Sequence, residues 1–247
     1  MDNTSYVALS RQMSLWKQMN IVSNNMANMN TAGYKQDDVI FTSYLQQTPS
    51  AQGIGADPIY FTQDFASYAD FNEGAFKETG NELDVAIRGR GFFCIETNAG
   101  ERYTRKGQFT LNEDGALTTT EGDIVLSENN APIFFAPGEK EIMISESGDV
   151  MTENGIIGRL KIANFAQDDK LLKVSGVLFE NQADNQVTYS SDNNRLMQGM
   201  VESSNVNAIA EMTNLIQIQR SYDYVQQMID EEHTRLSETI STFAELA

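Results

Sequence analysis

The sequence predicts an α+β fold in which N- and C-terminal helices pair in a coiled-coil-like layer around an inserted all-β domain. Both ends of the 247-residue chain carry long apolar patterns at helical spacing, without Gly or Pro. The middle instead carries short alternating apolar runs separated by turn residues, which is typical of antiparallel strands. We therefore expect four segments, an N-terminal helix in 1–35, an extended connector in 36–80, a β domain in 81–200 and a C-terminal helix in 201–247.

The N-terminal pattern predicts a helix over residues 3–31. Apolar side chains recur at spacings of three and four, which places them on one face of a helix. The amphipathic stripe is expected to cover the helix's own domain or a partner. Its members are Tyr6, Leu9, Met13 and Trp16, followed by Leu15, Met19, Val22, Met26 and Met29.

An asparagine-rich segment follows on the last turns of this helix. Four asparagines fall within seven positions, although asparagine is a mediocre helix former that is usually found at caps and turns. Asn24 and Asn28 are four residues apart and share one helix face beside Met26. Gly33 is expected to end the helix in a left-handed conformation. An amide stripe beside an apolar stripe indicates a helix that docks against a partly polar surface.

The C-terminal pattern predicts a second helix over residues 202–245. A helix of that length would extend about 66 Å, too far for one compact domain to bury, so packing between molecules is expected. Ile209, Ile216, Ile218 and Val225 widen the apolar face enough for more than one neighbouring helix. The expected heptad seam consists of Ala208, Met212, Leu215, Gln219, Tyr222, Gln226, Ile229, His233, Leu236, Ile240 and Phe243.

The middle of the chain is predicted to form meanders and hairpins. Residues 83–87 alternate with a period of two, and Gly-containing turns such as those at 112–115, 121–123 and 147–149 separate strand-length runs. Residues 36–80 are rich in Gln, Phe and Tyr and contain Pro49 and Pro58. We expect short strands or turns in this connector.

The charge distribution limits the partners. The net charge is −18, which argues against binding nucleic acid or an anionic membrane surface, because phosphates would be repelled. Residues 1–35 contain three basic residues and one acid, whereas residues 201–247 contain two arginines and eight acids. The two termini can therefore attract each other, within one chain or between chains.

No set of residues indicates catalysis, so we expect a protein that is not an enzyme and binds no cofactor and no metal. His233, the single histidine, lies on the expected seam and is read as packed or interfacial. Cys94, the single cysteine, lies in an apolar run and is read as a small buried hydrophobe. Neither a cleavable signal peptide nor a transmembrane segment is recognisable.

Two classes of function remain open from the residues alone. The first is an assembly subunit whose terminal helices pack between copies. The second is an acidic β enzyme or carbohydrate-binding domain with helical oligomerisation arms. The heptad pattern and the missing catalytic constellation favour the first.

Motifs at both ends and in the middle resemble the bacterial flagellar rod and hook protein family. The N-terminal signature is SNNMANMNTAGYK at 23–35, where the family has an aliphatic residue in place of Met26 and usually Phe in place of Tyr34. The chain length and single modest β body resemble the rod proteins more than the longer hook protein. The other matching runs are ESSNVN at 202–207, EMTNLI at 211–216, QRSY at 219–222, GRGFF at 89–93 and YTRKGQF at 103–109.

The resemblance implies a structural subunit of the flagellar basal-body rod that polymerises through its terminal helices and transmits torque across the periplasm. It also implies export by the flagellar type III apparatus, contacts with other rod proteins and with copies of itself, and a place in the periplasmic rod. Residues 221–226, SYDYVQ, resemble a proximal more than a distal rod subunit. The residues expected at the assembly interface are Asn24, Asn25, Met26, Asn28, Asn30, Gly33, Asn205, Met212, Leu215, Tyr222, Ile229 and Leu236.

Overall fold

The structure is a computed structural model that describes residues 2–46, 59–139, 141–182, 184–189 and 194–245. It confirms the predicted α+β class, since two terminal helices pack together and antiparallel strands fill the middle of the chain. The chain divides into two units. The helical unit comprises residues 1–27, 37–68 and 207–247, and the β unit comprises residues 28–36 and 69–206.

The helices are shorter than the sequence predicts. Helix α1 spans Asp2–Ala27 and helix α2 spans Ala208–Glu245. The expectation that the first helix continues to residue 31 is wrong, because turns follow Ala27 and Gly33 has a left-handed φ of 69°. The second helix begins at Ala208 rather than at 202, because the Asn207 side-chain oxygen accepts hydrogen bonds from the backbone N–H groups of Ile209 and Ala210 and caps it.

The described part of the expected connector contains one short strand, β3 (Phe76–Glu78), as predicted, and two strands that are longer than predicted. Strand β1 (Asp37–Gln46) and strand β2 (Ile59–Ala69) pair in a two-stranded sheet. Pro49 and Pro58 lie outside the described residues. In the helical unit, β1 packs against α1.

The β unit is built from antiparallel pairs. The strands are β3 (Phe76–Glu78), β4 (Val85–Arg88), β5 (Phe92–Thr97), β6 (Gly100–Thr104), β7 (Phe109–Leu111), β8 (Leu117–Thr119), β9 (Ile124–Val125), β10 (Met143–Ile144), β11 (Asp149–Thr152), β12 (Gly155–Arg159), β13 (Ile162–Phe165), β14 (Leu171–Ser175), β15 (Leu178–Asn181), β16 (Val187–Tyr189), β17 (Arg195–Gln198) and β18 (Met200–Glu202). The largest sheet has nine strands. Seven follow the order β14-β15-β6-β5-β9-β8-β7, while β13 pairs with β5 and β16 pairs with β13. The strands β10-β11-β12, β17-β4 and β18-β3 form smaller sheets.

Strand β5 separates two hydrophobic clusters. Successive side chains of a strand point to opposite faces, so Phe93 and Ile95 enter one cluster and Phe92 and Cys94 the other. Cys94 is fully buried, as predicted, and burial raises the pKa of its thiol. The first cluster also contains Val85, Ile87, Phe109, Leu117, Val125, Ile133, Phe135, Ile144, Val150, Leu160, Ile162 and Leu196; the second also contains Tyr103, Leu126, Ala163, Leu171 and Phe179.

Candidate assembly interface

The two terminal helices form an antiparallel pair within the helical unit. The side-chain amide of Gln12 donates to that of Gln226 at 2.6 Å, and Asn25 Nδ2 donates to Glu211 Oε2 at 3.3 Å. The order of the contacts along α1 is therefore the reverse of their order along α2. Because α2 has 38 residues and α1 only 26, the C-terminal end of α2 runs past the start of α1.

The inner face of α1 follows a heptad spacing. Ala8, Leu15 and Val22 are each seven residues apart and are all buried. Ser14 and Asn25 are buried beside them. This stripe of small and branched side chains is the surface that α1 presents to its own chain.

The inner face of α2 follows a longer alternation of three and four residues, which is the spacing of a coiled-coil seam. Four residues expected at the interface, Leu215, Tyr222, Ile229 and Leu236, lie on it half-buried, whereas Met212 does not. Gln219, Gln226, His233 and Ile240 are exposed rather than in the seam. The seam consists of Ala208, Glu211, Leu215, Ile218, Tyr222, Val225, Ile229, Glu232 and Leu236.

The outer face of α1 carries an apolar stripe that the chain leaves open. Tyr6, Leu9, Met13 and Trp16, here called the outer stripe, are 49% to 66% exposed. The sequence expectation that these residues lead into the seam with Leu15 and Val22 is wrong, because on a 3.6-residue helix they fall opposite Ala8, Leu15 and Val22. Two aromatic and two aliphatic side chains in solvent form a candidate contact surface.

Helix α2 has its own exposed apolar patch. Ile209, Met212 and Ile216 are 79%, 52% and 49% exposed and follow the spacing of one helix face. We call them the α2 outer patch. Ile240 is 68% exposed further along the helix. Both terminal helices therefore bury one stripe within the chain and expose another.

Asn25 connects three segments of the helical unit. Its side-chain amide donates to the Asp37 carbonyl oxygen at 2.8 Å and to the Glu211 carboxylate, and its oxygen accepts from the Asp37 N–H at 2.9 Å. Asn25 is 1% exposed. A buried amide with these partners is satisfied inside the chain, so it orients α1, β1 and α2 rather than facing a neighbour.

The other residues of the N-terminal signature divide between the two units. Asn24 is exposed and Met26 half-buried in the helical unit. Asn28 lies in the β unit, where its side chain accepts a hydrogen bond from Thr31 Oγ1 at 3.2 Å, and Asn30 is exposed in the same turn. The structure therefore does not place the asparagines along one helix face.

The β unit contains a buried charge cluster where the two signatures meet, here called the neck network. Lys35 Nζ donates to Glu202 Oε1 and to the Asn72 carbonyl oxygen, both at 2.6 Å. Arg105 Nε lies 3.6 Å from Glu202 Oε2, and its terminal nitrogens donate to the carbonyl oxygens of Gly89 and Gly91. The three charged side chains are 0% to 2% exposed. One carboxylate therefore balances two cations inside the fold.

Burial determines the electrostatics of the neck network. Desolvation lowers the pKa values of Lys35 and Arg105 below their ordinary values, and the charge of Glu202 acts in the opposite direction on both. The charge of Asp70 also raises the pKa of Lys35, as the charge of Glu202 does. The two cations depend on these carboxylates because no bulk water solvates them.

Gly33 lets the backbone enter the neck network. Its N–H donates to the Glu202 carbonyl oxygen at 2.8 Å. A Cβ at this position would lie 2.4 Å from the backbone nitrogen of Lys106, closer than any side chain tolerates. Gly33 is thus required both for its positive φ and for this close backbone approach.

Asn205 closes the same region from the C-terminal signature. Its side-chain oxygen accepts from the Gln36 N–H at 2.8 Å, and its amide donates to the Asp70 carbonyl oxygen at 2.8 Å. Gly33 and Asn205, both expected at an interface between subunits, therefore make contacts inside the β unit. Sequence reasoning did not single out Lys35, Arg105 and Glu202, although each stands within a signature run.

The described residues offer few signs of other chemistry. Among them, no three His, Cys, Asp or Glu side chains are placed to share a metal ion. None of the described helices combines the length and hydropathy that a membrane span requires. Within the described residues, the candidate functional features are the outer stripe, the α2 outer patch and the neck network.

Comparison with known proteins defines the class. Three family models match, described as "Flagella basal body rod protein" at residues 6–35, "Flagellar hook protein FlgE/F/G D1 domain" at 86–152 and "Flagellar basal body rod FlgEFG protein C-terminal" at 197–242. These matches cover both terminal helices and part of the β unit. The fold and its signatures are thus those of a structural component of the bacterial flagellum.

Individual relatives indicate which kind of flagellar rod protein this chain resembles. The chain is 36% identical to the "Flagellar basal-body rod protein FlgF" of Caulobacter vibrioides, over 93% of each chain. It is 35% identical to the FlgF of Rhizobium meliloti, over 96% of each, and 34% identical to the "Flagellar basal-body rod protein FlgG" of Agrobacterium fabrum, over 85% of this chain and 88% of that one. The chain belongs to the flagellar basal-body rod protein family and is FlgF-like.

Proposed function

We propose that this chain polymerises, with copies of itself and with other rod proteins, through surfaces on its terminal helices and so transmits torque as a proximal rod subunit. The observation that carries the proposal is the outer stripe of α1. Its four large apolar side chains are about half exposed or more, and α2 covers only the opposite face of the helix. Burying one such side chain contributes about 1.5–3 kcal/mol, so a neighbour has a strong driving force to cover the stripe.

The α2 outer patch of a neighbouring subunit is the complementary surface. Ile209, Met212 and Ile216 offer an exposed apolar surface on one helix face. The N-terminal segment of the chain is basic and the C-terminal segment acidic, so this pairing is also attractive electrostatically. Joining α1 of one copy to α2 of the next is a heterologous contact, and such contacts build filaments or tubes rather than closed dimers.

A proximal position is favoured over a distal one. The relatives named FlgF are 32% to 36% identical to this chain over at least 93% of its length, whereas the FlgG proteins compared are 29% to 34% identical, that of Agrobacterium fabrum over 85% of this chain. A distal, FlgG-like position is the second candidate, because identity to that FlgG is nearly as high. The family membership also supports a structural role rather than an enzymatic one.

The domain division is part of the proposal. Residues 1–35 and 201–247 act as assembly segments, 36–80 as the connector and 81–200 as the β domain on the outside of the rod. We propose that the chain reaches its place in the periplasm through the flagellar export apparatus.

Substituting one residue of the outer stripe tests the proposal. Trp16→Asp should abolish swimming and basal-body assembly, because it places a charge in a packed helix layer. Asn20→Asp is the matched control, since it adds the same charge on the same helix face without removing apolar area. Leu15→Ala separates folding from assembly, because Leu15 is 2% exposed and its truncation should cost about 2–5 kcal/mol of stability.

The purified Trp16→Asp variant should unfold at the same urea concentration as the wild type. Normal swimming and intact basal bodies in the Trp16→Asp strain would overturn the proposed role of the helices. Equal defects in Trp16→Asp and Asn20→Asp would show that charge alone, rather than loss of the apolar contact, is responsible.

A further inference from the structure

Two arginines lie directly opposite each other on the surface of the β unit. Strands β4 and β17 pair so that Arg88 faces Arg195, and both side chains are exposed. Like charges directly opposite in an antiparallel pair destabilise a sheet. Neither guanidinium forms an ion pair with a carboxylate of the described residues. A chain with 35 acidic and 17 basic residues thus places two exposed cations together at one end of a two-stranded ribbon.

An acidic groove lies at the other end of the same ribbon. Glu82, Glu141 and Glu153 are exposed along it. Its floor is apolar, with Met143 of β10 directly opposite Met151 of β11. We call these five residues the acidic groove; its lining also includes Gln198 and Gly199, at the end of β17.

The apolar floor continues across the three-stranded sheet. Met151 pairs in turn with Ile156 of β12, so the three side chains form a row on one face. Met143 is 61% exposed and Ile156 is 69% exposed. The opposite face of the same strands, with Ile144 and Val150, is buried in the core. An exposed apolar row with a rim of carboxylates fits a partner that is cationic with some apolar area.

The ribbon fixes the distance between the two charged surfaces. Val85 pairs with Gln198 at the groove end, and Arg88 pairs with Arg195 three residues further along. At about 3.3 Å per residue the two ends are about 10 Å apart. The ribbon therefore has two arginines at one end and three carboxylates near the other.

We propose that a second copy of this chain docks head to tail on this ribbon, with Arg88 and Arg195 of one copy in the acidic groove of the next. This inference rests on the proposed function, in which the chain polymerises. A contact that set groove against groove or arginine against arginine would cost free energy. A two-fold contact can place the arginines of each copy in the groove of the other, but it closes as a dimer, whereas a polymer needs a contact that repeats from copy to copy. A head-to-tail contact pairs opposite charges at every step, and it is heterologous like the helix contact. The like-charged pair is thereby offset by carboxylates of the neighbour.

Cross-linking tests the contact directly. Arg195→Cys and Glu153→Cys place one thiol at each end of the ribbon, while the native Cys94 is fully buried and does not compete. Basal bodies from cells that express both variants should yield a dimer with a short bismaleimide. Cells that express either variant alone should yield none. Cross-links within a single variant, or none in the mixture, would overturn the contact between the arginines and the groove. The double variant Arg195→Cys with Glu153→Cys should yield cross-linked products larger than a dimer, and products that stop at the dimer would overturn the head-to-tail arrangement.

Charge reversal gives the second test. Arg88→Glu with Arg195→Glu should lower the yield of basal bodies about tenfold, and adding Glu141→Lys with Glu153→Lys should restore it. Lys77→Glu, at an exposed position of the same unit, is the control and should have little effect. Circular dichroism of the purified variants checks that each is folded.

The outcomes separate this inference from the proposed function. If Trp16→Asp blocks assembly and the arginine reversal behaves like Lys77→Glu, the groove contact is wrong and the helix contact stands. If Trp16→Asp assembles normally while the mixed cross-link forms, the helix proposal fails and the groove contact stands.

Discussion

Lys35 Nζ lies 2.6 Å from Glu202 Oε1, with both side chains fully buried, although the two residues are 167 positions apart in the chain. The ion pair therefore joins the first and the last segments of the β unit. Arg105, from the loop after β6, contacts the same carboxylate. The two terminal signatures are joined by a charge cluster in the interior as well as by the pairing of the helices.

Removing the shared carboxylate should be costly. Glu202→Gln leaves Lys35 and Arg105 buried without their main counter-charge, which typically costs about 3–5 kcal/mol. Lys35→Met should cost less, because Arg105 and Glu202 then remain as a pair. Urea unfolding followed by the near-ultraviolet signal of the aromatic cluster around Phe92 measures both. Equal losses for the two variants would contradict the two-cation arrangement.

Substitutions at Gly33 and Gly80 separate the cost of a steric clash from the cost of a positive φ. Gly33→Ala should destabilise the β unit, because it combines a φ of 69° with a Cβ only 2.4 Å from Lys106 N. Gly80→Ala is a matched control, with a φ of 71° and no atom within 4 Å of the added Cβ. The free energy of unfolding of the Gly80→Ala control should fall only by the cost of a left-handed backbone at a residue with a Cβ, about 1–2 kcal/mol. That of Gly33→Ala should fall clearly more. Similar unfolding midpoints for both variants would show that the backbone relaxes around residue 33.

Much of the architecture could be predicted from the sequence, because it depends on local periodicity. The terminal helices and the β body follow from spacings of three and four residues and of two residues, respectively. The helix boundaries could not be placed as well. Asn207 as a cap and Gly33 as a turn residue are each compatible with several boundaries until tertiary contacts select one.

The choice of buried face was the main error, and it has a physical cause. The prediction placed Tyr6, Leu9, Met13 and Trp16 in one stripe with Leu15 and Val22. The structure buries Leu15 and Val22, together with Ala8, and leaves the other four side chains exposed. Periodicity identifies a helix but cannot rank two apolar faces when one of them is available to a partner. A stripe with large aromatic side chains beside a stripe with small ones is the signal that could have separated them.

The neck network was beyond sequence reasoning for another reason. Lys35, Arg105 and Glu202 come from three distant segments, and charged residues are usually exposed. Nothing local distinguishes them from surface charges. Their one distinguishing feature in the sequence is that each lies within a run that resembles the family.

Asp149 should make the β unit sensitive to acid. Hydrogen bonds from Arg159, at 2.6 Å, and from Ser147 hold the pKa of its carboxyl below the ordinary value. A carboxyl whose pKa is lower in the folded state stabilises the fold above its ordinary pKa, and this stabilisation is lost as the pH falls through the folded value. Asp149→Asn should therefore lower the urea midpoint at pH 7.

The same variant should show a smaller loss of stability on acidification below about pH 4. Asp114→Asn, at an exposed turn, is the control and should keep the wild-type pH profile. The prediction is wrong if Asp149→Asn and the wild type lose stability in parallel between pH 7 and pH 2.

The most direct test of the assembly account is electron cryomicroscopy of intact basal bodies that contain this chain. The account predicts that Tyr6, Leu9, Met13 and Trp16 are covered by the α2 helix of an adjacent rod subunit, while Ala8, Leu15 and Val22 remain paired within their own chain. A map in which the outer stripe faces solvent, or in which the β units alone connect successive subunits, would contradict it.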